Sequence, residues 1–368
     1  MVKVLQVFNE LDQGGIEHVV INWMKNMDLQ KVEFHFALMS GQKGVLDDYV
    51  KQLGGKIHYF SDGTKSLKNV KQNLNRIIKD YGPFDAIHSH AYFFSGYILK
   101  IAYQNGVPVR IAHAHDTYKG ENRSFIRKIY EARMKQLINK YATYKLGVSE
   151  ESALHVFGNI DANTYIVNNG VNIEKYKLSS RVRKAKRSEL RIQPNEKVII
   201  NIGRFEDQKD HEYLIKIFKR SLKYDDSFKL LLIGNGSLKP HIINIAKELN
   251  IIDKIIFLEN RNDINELLMA ADIFAMPSKY EGLPIVLIEA QASGIPCVVS
   301  TNITKEALIC PNVYALTKEN MDIWVKKIMV LRDARRMDNS QRLSEAGFNI
   351  KNIALFVQKM YLTNIEDD

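Results

Sequence analysis

The chain has 368 residues, 45% hydrophobic and 26% charged, a composition that excludes a disordered or fibrous protein and, at roughly 100–200 residues per domain, suggests two domains. Two cysteines, Cys297 and Cys310, imply no disulfide framework and fit a reducing, cytoplasmic setting, and no apolar run reaches the ~18 residues of a membrane span. The formal net charge of +10 favours an anionic partner (nucleic acid, acidic lipid or a phosphorylated ligand) without choosing among them.

The first apolar run, Val4 to Phe8, is too short for a signal-peptide core, so VKVLQVF reads as a strand. Residues 17–27 are then predicted helical, EFHFALM a strand, 46–53 a helix, 56–60 a strand, 70–81 a helix and 85–88 a strand. The stretch YKLSSRVRKAKRSELRIQPNEK is polar, rich in Lys and Arg and lacks a strand, so a domain boundary is placed near Ser180. The alternation then restarts: strands at 197–203, 229–233, 254–258, 272–276 and 296–300, with helices at 211–221, 238–249, 264–271 and 285–293 between them. This pattern predicts an α/β protein with two Rossmann-like, doubly wound domains, 1–180 and 181–345. Residues 346–368 are expected as a C-terminal helix and tail packing back toward the first domain. Ligands of open α/β sheets sit beyond the carboxyl ends of the strands, so two such sheets facing one another would enclose a cleft.

The chemistry-bearing residues do follow strand ends. Gly14 and Gly15 precede the first helix, where a glycine pair lets backbone approach a ligand and a helix N-terminus attracts anions; a tight turn is the alternative. Arg204 and Lys209 follow the strand at 197–203, and two cations there can neutralise a diphosphate, unless Glu206, Asp207 and Asp210 pair with them at the surface. In ADIFAMPSKYEGLPIVLIEAQASGIPCVVS, Glu281 follows a strand, Pro284 falls in the first turn of a helix, and Glu289 lies within apolar PIVLIEAQA, where a carboxylate needs a partner. Both acids can reach a polar ligand lying along the helix N-terminus.

His88, His90, His113 and His115 gather at successive strand ends. A metal site is one reading of them, and a triad-like use of His113, His115 and Asp116 another, although no G-x-S-x-G nucleophile element accompanies them. The sequence has no D-x-D, H-E-x-x-H, C-x-x-C or P-loop GK[ST]. Residues 118–145 interleave Lys119, Arg123, Arg127, Lys128, Arg133, Lys135, Lys140 and Lys145 with Phe125, Ile129, Leu137, Ile138 and Tyr141. That suits a basic amphipathic helix on an acidic membrane surface, or a solvated helix packed by its apolar face.

Pro277, Ser278, Glu281, Gly282, Leu283, Pro284, Val286, Glu289, Ala290, Gly294 and Pro296 stand in the register of the E-x7-E element of retaining glycosyltransferases of the GT-B fold. The setting resembles family 4, and the likeness runs from Val2 to about Thr301. GRFEDQKDH looks like the family's phosphate element, HAHDT its N-domain histidine element, and VNNGVN its N-G-V-D element with Asn172 replacing the acid. GGIEHVV and RIAHAHD look most like members that assemble bacterial capsular or extracellular polysaccharide.

The resemblance implies roles. Arg204 and Lys209 hold the donor diphosphate and stabilise the leaving group. Glu281, with the backbone of Gly282, Leu283 and Pro284, contacts the donor sugar, and Glu289 holds the ribose hydroxyls. Arg261 lies where the family meets the base, His115 is catalytic beside the sugar, and Gly14 and Gly15 approach the phosphates or acceptor. Two fixed cations stand where a D-x-D-bound metal would, so no metal or other cofactor is expected. The expected reaction moves a sugar, with retention, from a uridine diphosphate sugar to a hydroxyl of a lipid-diphosphate-linked glycan. It takes place at the cytoplasmic membrane face, with Arg123, Arg127, Lys128 and Lys135 against anionic lipid. The competing readings are a nucleotide-sugar epimerase or hydrolase on the same fold, and a basic nucleic-acid-binding protein, for which no recognised motif speaks.

Overall fold

Seven strands open the chain: β1 (Val2–Phe8), β2 (Val32–Leu38), β3 (Lys56–Tyr59), β4 (Ala86–Ser89), β5 (Val109–Ala114), β6 (Tyr144–Gly147) and β7 (Thr164–Ile166). They pair in the order β3-β2-β1-β4-β5-β6-β7, every neighbour parallel. The computed structural model describes residues 1–12, 15–115 and 124–363. Strands covered on both faces read as near-continuous apolar runs, which is why β1 and β2 were so legible. Val2, Val4 and Phe8 pack on one face with Trp23, Met24, Ile353, Val357 and Tyr361, from the helices Gly15–Asn26 and Ile350–Leu362. Leu5 and Val7 point to the other, under the helices Leu67–Tyr81, Ser95–Gln104 and Phe125–Tyr141.

The second sheet comprises β8 (Lys197–Ile202), β9 (Phe228–Ile233), β10 (Ile255–Leu258), β11 (Ile273–Met276), β12 (Cys297–Ser300) and β13 (Val313–Leu316). Its order is β10-β9-β8-β11-β12-β13, again all parallel, with two buried apolar layers against it.

The chain divides at Gly170, upstream of Ser180: one unit is 1–170 together with the chain from Ile350 onward, the other 171–349. The reason is packing. Val171, Ile173 and Tyr176 already belong to the second core. The cation-rich stretch beyond them is a helix, Ser180–Glu189, whose Arg183, Lys186 and Arg187 are spent internally. Arg183 donates to the carbonyls of Met269, Ala270 and Ala271 and pairs with Asp272, and Arg187 joins the same carboxylate. Val171 N–H donates to the Phe348 carbonyl, so the points where the chain enters and leaves the second unit lie side by side.

Candidate active-site residues

In the second unit, β8 runs into Gly203, Arg204 and Phe205 and then a short 3-10 turn, Asp207–Lys209. Asp210, in left-handed backbone at φ 49°, caps the helix His211–Ser221 by accepting from Tyr213 N–H at 3.2 Å. The loop after β9 presses against this segment. A Cβ on Gly234 would stand 2.1 Å from the Gly203 carbonyl oxygen, and one on Gly236 2.5 Å from that of Phe205. At φ +143° and +155°, only glycine suits either position. This G-x-G is not singled out in the sequence, because the close approach that requires it comes from a segment about 30 residues away.

The Lys209 stem lies over Gly203, and its ammonium meets Glu281 Oε1 at 2.5 Å, while Gln208 Nε2 donates to Glu281 Oε2 at 3.3 Å. The two ionic side chains are only 15% and 7% exposed. Residues singled out separately for phosphate and for sugar therefore form one pair. Arg204 is exposed, and its guanidinium makes no hydrogen bond or ion pair among the described residues, so it stands as an uncommitted cation in the same loop. Gly282 is exposed with open space around it, Leu283 is half-buried, and Pro284 precedes the helix Ile285–Ala292 as its N-cap.

Glu289, inside that helix, accepts a short hydrogen bond from the Tyr176 hydroxyl. Burial pushes its carboxyl above the ordinary 4.5, with the Tyr176 bond pulling the other way. Tyr176 ends the turn Ile173–Tyr176, which Asn172 caps by accepting from Lys175 N–H at 3.2 Å. Asn172, the departure from N-G-V-D, thus does the capping work of an acid there. Arg261 follows β10 but is committed: it donates to Asp263 at 2.8 and 2.6 Å and to Glu189 at 3.0 Å, in a network with Lys186.

In the first unit, Gln6 on β1 stands in register with His88 on β4. His88, His90 and His113 are buried, and His113 stacks on Trp23 with ring centroids 5.5 Å apart. His115, beyond β5, has its imidazole 3.9 Å from that of His113, and burial pushes its pKa down to about 3, so the ring is neutral. His88, His90 and His113 offer ring nitrogens all within 4.8 Å of one another, the one grouping among the described residues spaced to hold a metal ion. Gly15 opens the helix Gly15–Asn26 with nothing near enough to require a glycine; Gly14 lies outside the described residues.

The basic segment is a helix over Phe125–Tyr141, shorter than 118–145. Lys145 is not part of its charged face: it sits in β6, 4% exposed, bound to Asp161 at 2.6 Å and Asn139 at 2.7 Å. Lys135 is half-buried with its ammonium 5.6 Å from the centre of the Phe93 ring, and Arg127 pairs with buried Glu131 at 3.0 Å. Lys128 is exposed, as are Phe125, Ile126, Ile129 and Tyr130, while Arg123 lies outside the described residues. No helix among the described residues is long and apolar enough to cross a membrane.

Two parallel Rossmann-like units of this kind have the GT-B fold, and the family matches make the chain a glycosyltransferase. Residues 13–175 match the family described as Glycosyltransferase Family 4, and residues 182–349 the family described as Glycosyl transferases group 1, so the chain resembles glycosyltransferases of family 4. It is 29% identical over 377 residues to the putative glycosyltransferase EpsF of Bacillus subtilis, covering 100% of this chain and 98% of that one. It is 24% identical over 358 residues to an Escherichia coli UDP-Gal:alpha-D-GlcNAc-diphosphoundecaprenol alpha-1,3-galactosyltransferase, covering 91% and 90%. The fold matches that of Anabaena Alr3699/HepE in complex with UDP at a TM-score of 0.72 and 18% identity, over 100% and 99% of the two chains.

Proposed function

We propose that this glycosyltransferase takes a uridine diphosphate sugar and transfers the sugar, with retention of anomeric configuration, to a hydroxyl of a lipid-diphosphate-linked glycan in bacterial polysaccharide synthesis. The observation that carries this is the Lys209–Glu281 pair at 2.5 Å with Arg204 free in the same loop. On the donor's arrival Lys209 can exchange Glu281 for phosphate oxygens, leaving the Glu281 carboxylate to accept sugar hydroxyls. Departure of the diphosphate builds negative charge, which two fixed cations stabilise without a metal. Glu289, held by Tyr176, is assigned to the ribose, and His115 to the reacting sugar. UDP bound to a protein of the same fold, and the diphosphoundecaprenol acceptor in the name of the Escherichia coli relative, support donor and acceptor classes. Exposed Phe125, Ile126 and Ile129 beside Lys128 support reversible docking of the first unit on an anionic membrane.

A panel of nucleotide sugars read by thermal shift tests the donor. A uridine diphosphate sugar at 100 times its dissociation constant should stabilise the protein by about 2.7 kcal/mol. The anomeric configuration of the product, read by NMR with a lipid-diphosphate glycan as acceptor, should match the donor's. Inversion, or donor turnover that ignores the acceptor and yields an epimer or free sugar, would replace this reading.

A further inference from the structure

The 3-10 turn Asp207–Lys209 meets residues 279–281 one for one. The Asp207 carboxylate pairs with the Lys279 ammonium at 2.5 Å, the Gln208 side chain donates to the Tyr280 carbonyl at 3.0 Å, and the Lys209 ammonium meets Glu281 Oε1 at 2.5 Å. Gln208 adds two further bonds. Its carbonyl accepts from Lys279 N–H at 2.8 Å, and its Nε2 also donates to Glu281 Oε2 at 3.3 Å. Both partners of that nitrogen, a carbonyl and a carboxylate held by an ammonium, can only accept, so the surroundings fix which end of the amide faces them. From the other side, Glu281 N–H donates to the Asn302 carbonyl at 3.2 Å, in the loop after β12. The backbone of Glu281 is thus anchored to one strand-end loop and its side chain to another.

The two carboxylate oxygens are held unequally. Lys209 is a cation, and a diphosphate competes with Glu281 for it. Gln208 is neutral and already engaged by two acceptors, so an arriving anion has little to draw it away. With Lys209 turned to phosphate, Glu281, 7% exposed, keeps Gln208 as its side-chain partner. The last torsion of a glutamate has no sharp preference of its own, so without that partner the carboxylate is free to turn.

We propose that Gln208 is a positioning residue. It keeps hold of Glu281 Oε2 while Lys209 moves to the donor diphosphate, so that Oε1, the oxygen Lys209 vacates, accepts from a hydroxyl of the donor sugar. This rests on the assignment of Lys209 to the diphosphate and Glu281 to the sugar. It divides donor recognition within one turn: Lys209 reads the phosphates, and Gln208, through Glu281, the sugar.

The test uses the full chain with three kinds of probe: UDP, the uridine diphosphate sugar that gives the wild type its largest thermal shift, and analogues of that sugar each lacking one hydroxyl. Gln208→Met keeps the volume and removes the N–H donors; Gln208→Glu keeps the shape and sets a carboxylate against Glu281. Gln208→Met should bind UDP as the wild type does, yet lower kcat/KM for the full sugar about tenfold to a hundredfold, the scale of one hydrogen bond to a charged group. Gln208→Glu should lose at least as much. In the wild type one deoxygenated analogue should be a far poorer substrate than the full sugar. That ratio should shrink toward one in Gln208→Met, because the hydroxyl has lost its oriented acceptor. Lys209→Ala should do the reverse, weakening UDP and leaving the ratio in place. A loss of UDP affinity in Gln208→Met in step with turnover overturns the proposal, because the side chain would then merely hold the turn. So does a slow Gln208→Met whose ratio is that of the wild type. Wild-type kcat/KM in Gln208→Met removes the positioning role and leaves the functional reading standing. A wild type that treats every analogue alike takes Glu281 away from the sugar, and one that neither binds nor turns over any uridine diphosphate sugar brings down the functional reading and this proposal together.

Discussion

In the proposed reaction Lys209 and Arg204 serve the same anion, but they differ in what else depends on them. Lys209→Ala and Arg204→Ala should each lower turnover about a hundredfold, ~2.7 kcal/mol, the cost of one fixed charge-stabilising donor. Their melting curves should part company. Loss of Lys209 leaves the Glu281 carboxylate, 7% exposed, with only the Gln208 amide, and breaking such a pair costs up to about 3–5 kcal/mol. Arg204→Ala breaks no bond among the described residues and should melt like the wild type. EDTA should leave transfer intact, and a strict manganese or magnesium requirement would sink the two-cation account. Glu289 gives a pH signature. Its folded pKa is raised, so between pH 4.5 and that raised value the native state binds more protons than the unfolded state. Stability contributed by the protonated form is thus lost as pH rises through that window, and Glu289→Gln should flatten the loss. Affinity for UDP should run the other way: calorimetric titration should find it weakening on acidification toward the window, and weakened throughout in Glu289→Gln. Tyr176→Phe removes the hydroxyl that orients the carboxylate and should lower the affinity for UDP with a smaller effect on melting.

Among the elements, the helix Phe125–Tyr141 carries the sharpest expectation. Its buried side is Met134, Leu137 and Ile138, so Phe125, Ile126 and Ile129, at 77%, 79% and 54% exposure, are left for something other than the core. Each Lys or Arg near an anionic leaflet contributes about 1 kcal/mol, decaying over a Debye length. Co-sedimentation should therefore show binding to acidic vesicles, release at high salt, and weakening on Arg127→Gln and Lys128→Gln or on Phe125→Ser and Ile126→Ser. Lys135→Gln should matter less, because its ammonium already sits over Phe93. Equal binding to neutral vesicles would leave this helix as a solvated surface.

At the scale of the whole molecule, the chain leaves its first unit at Gly170 and completes it only from Ile350. Deleting residues 350–368 strips Ile350, Ile353, Val357, Met360 and Tyr361 from the first core. At about 1.5–3 kcal/mol per buried side chain, that rivals the 5–15 kcal/mol that holds a typical domain. The truncated chain should lose the calorimetric transition of its first unit and keep that of its second; a single unchanged transition would contradict this. The sequence by itself determined β1 to β4 and β8 to β12, because parallel strands covered on two faces are apolar along their length and helices between them are not; β5, β6, β7 and β13 came only with the structure. It also determined the setting of Glu281 and Glu289, because the spacing across a strand end and one helix is local. Tertiary structure alone decided the partners. Tyr176 and Glu289 are 113 residues apart, Gln6 and Tyr361 355 apart, and Lys209 and Glu281 72 apart, and no periodicity in one stretch encodes which residue of another will face it. It also decided which cations are available: Arg183, Arg187 and Lys145 are spent on internal carbonyls and carboxylates, while Arg204 is not, and a charge reads the same in sequence whether burial has paired it or left it to water.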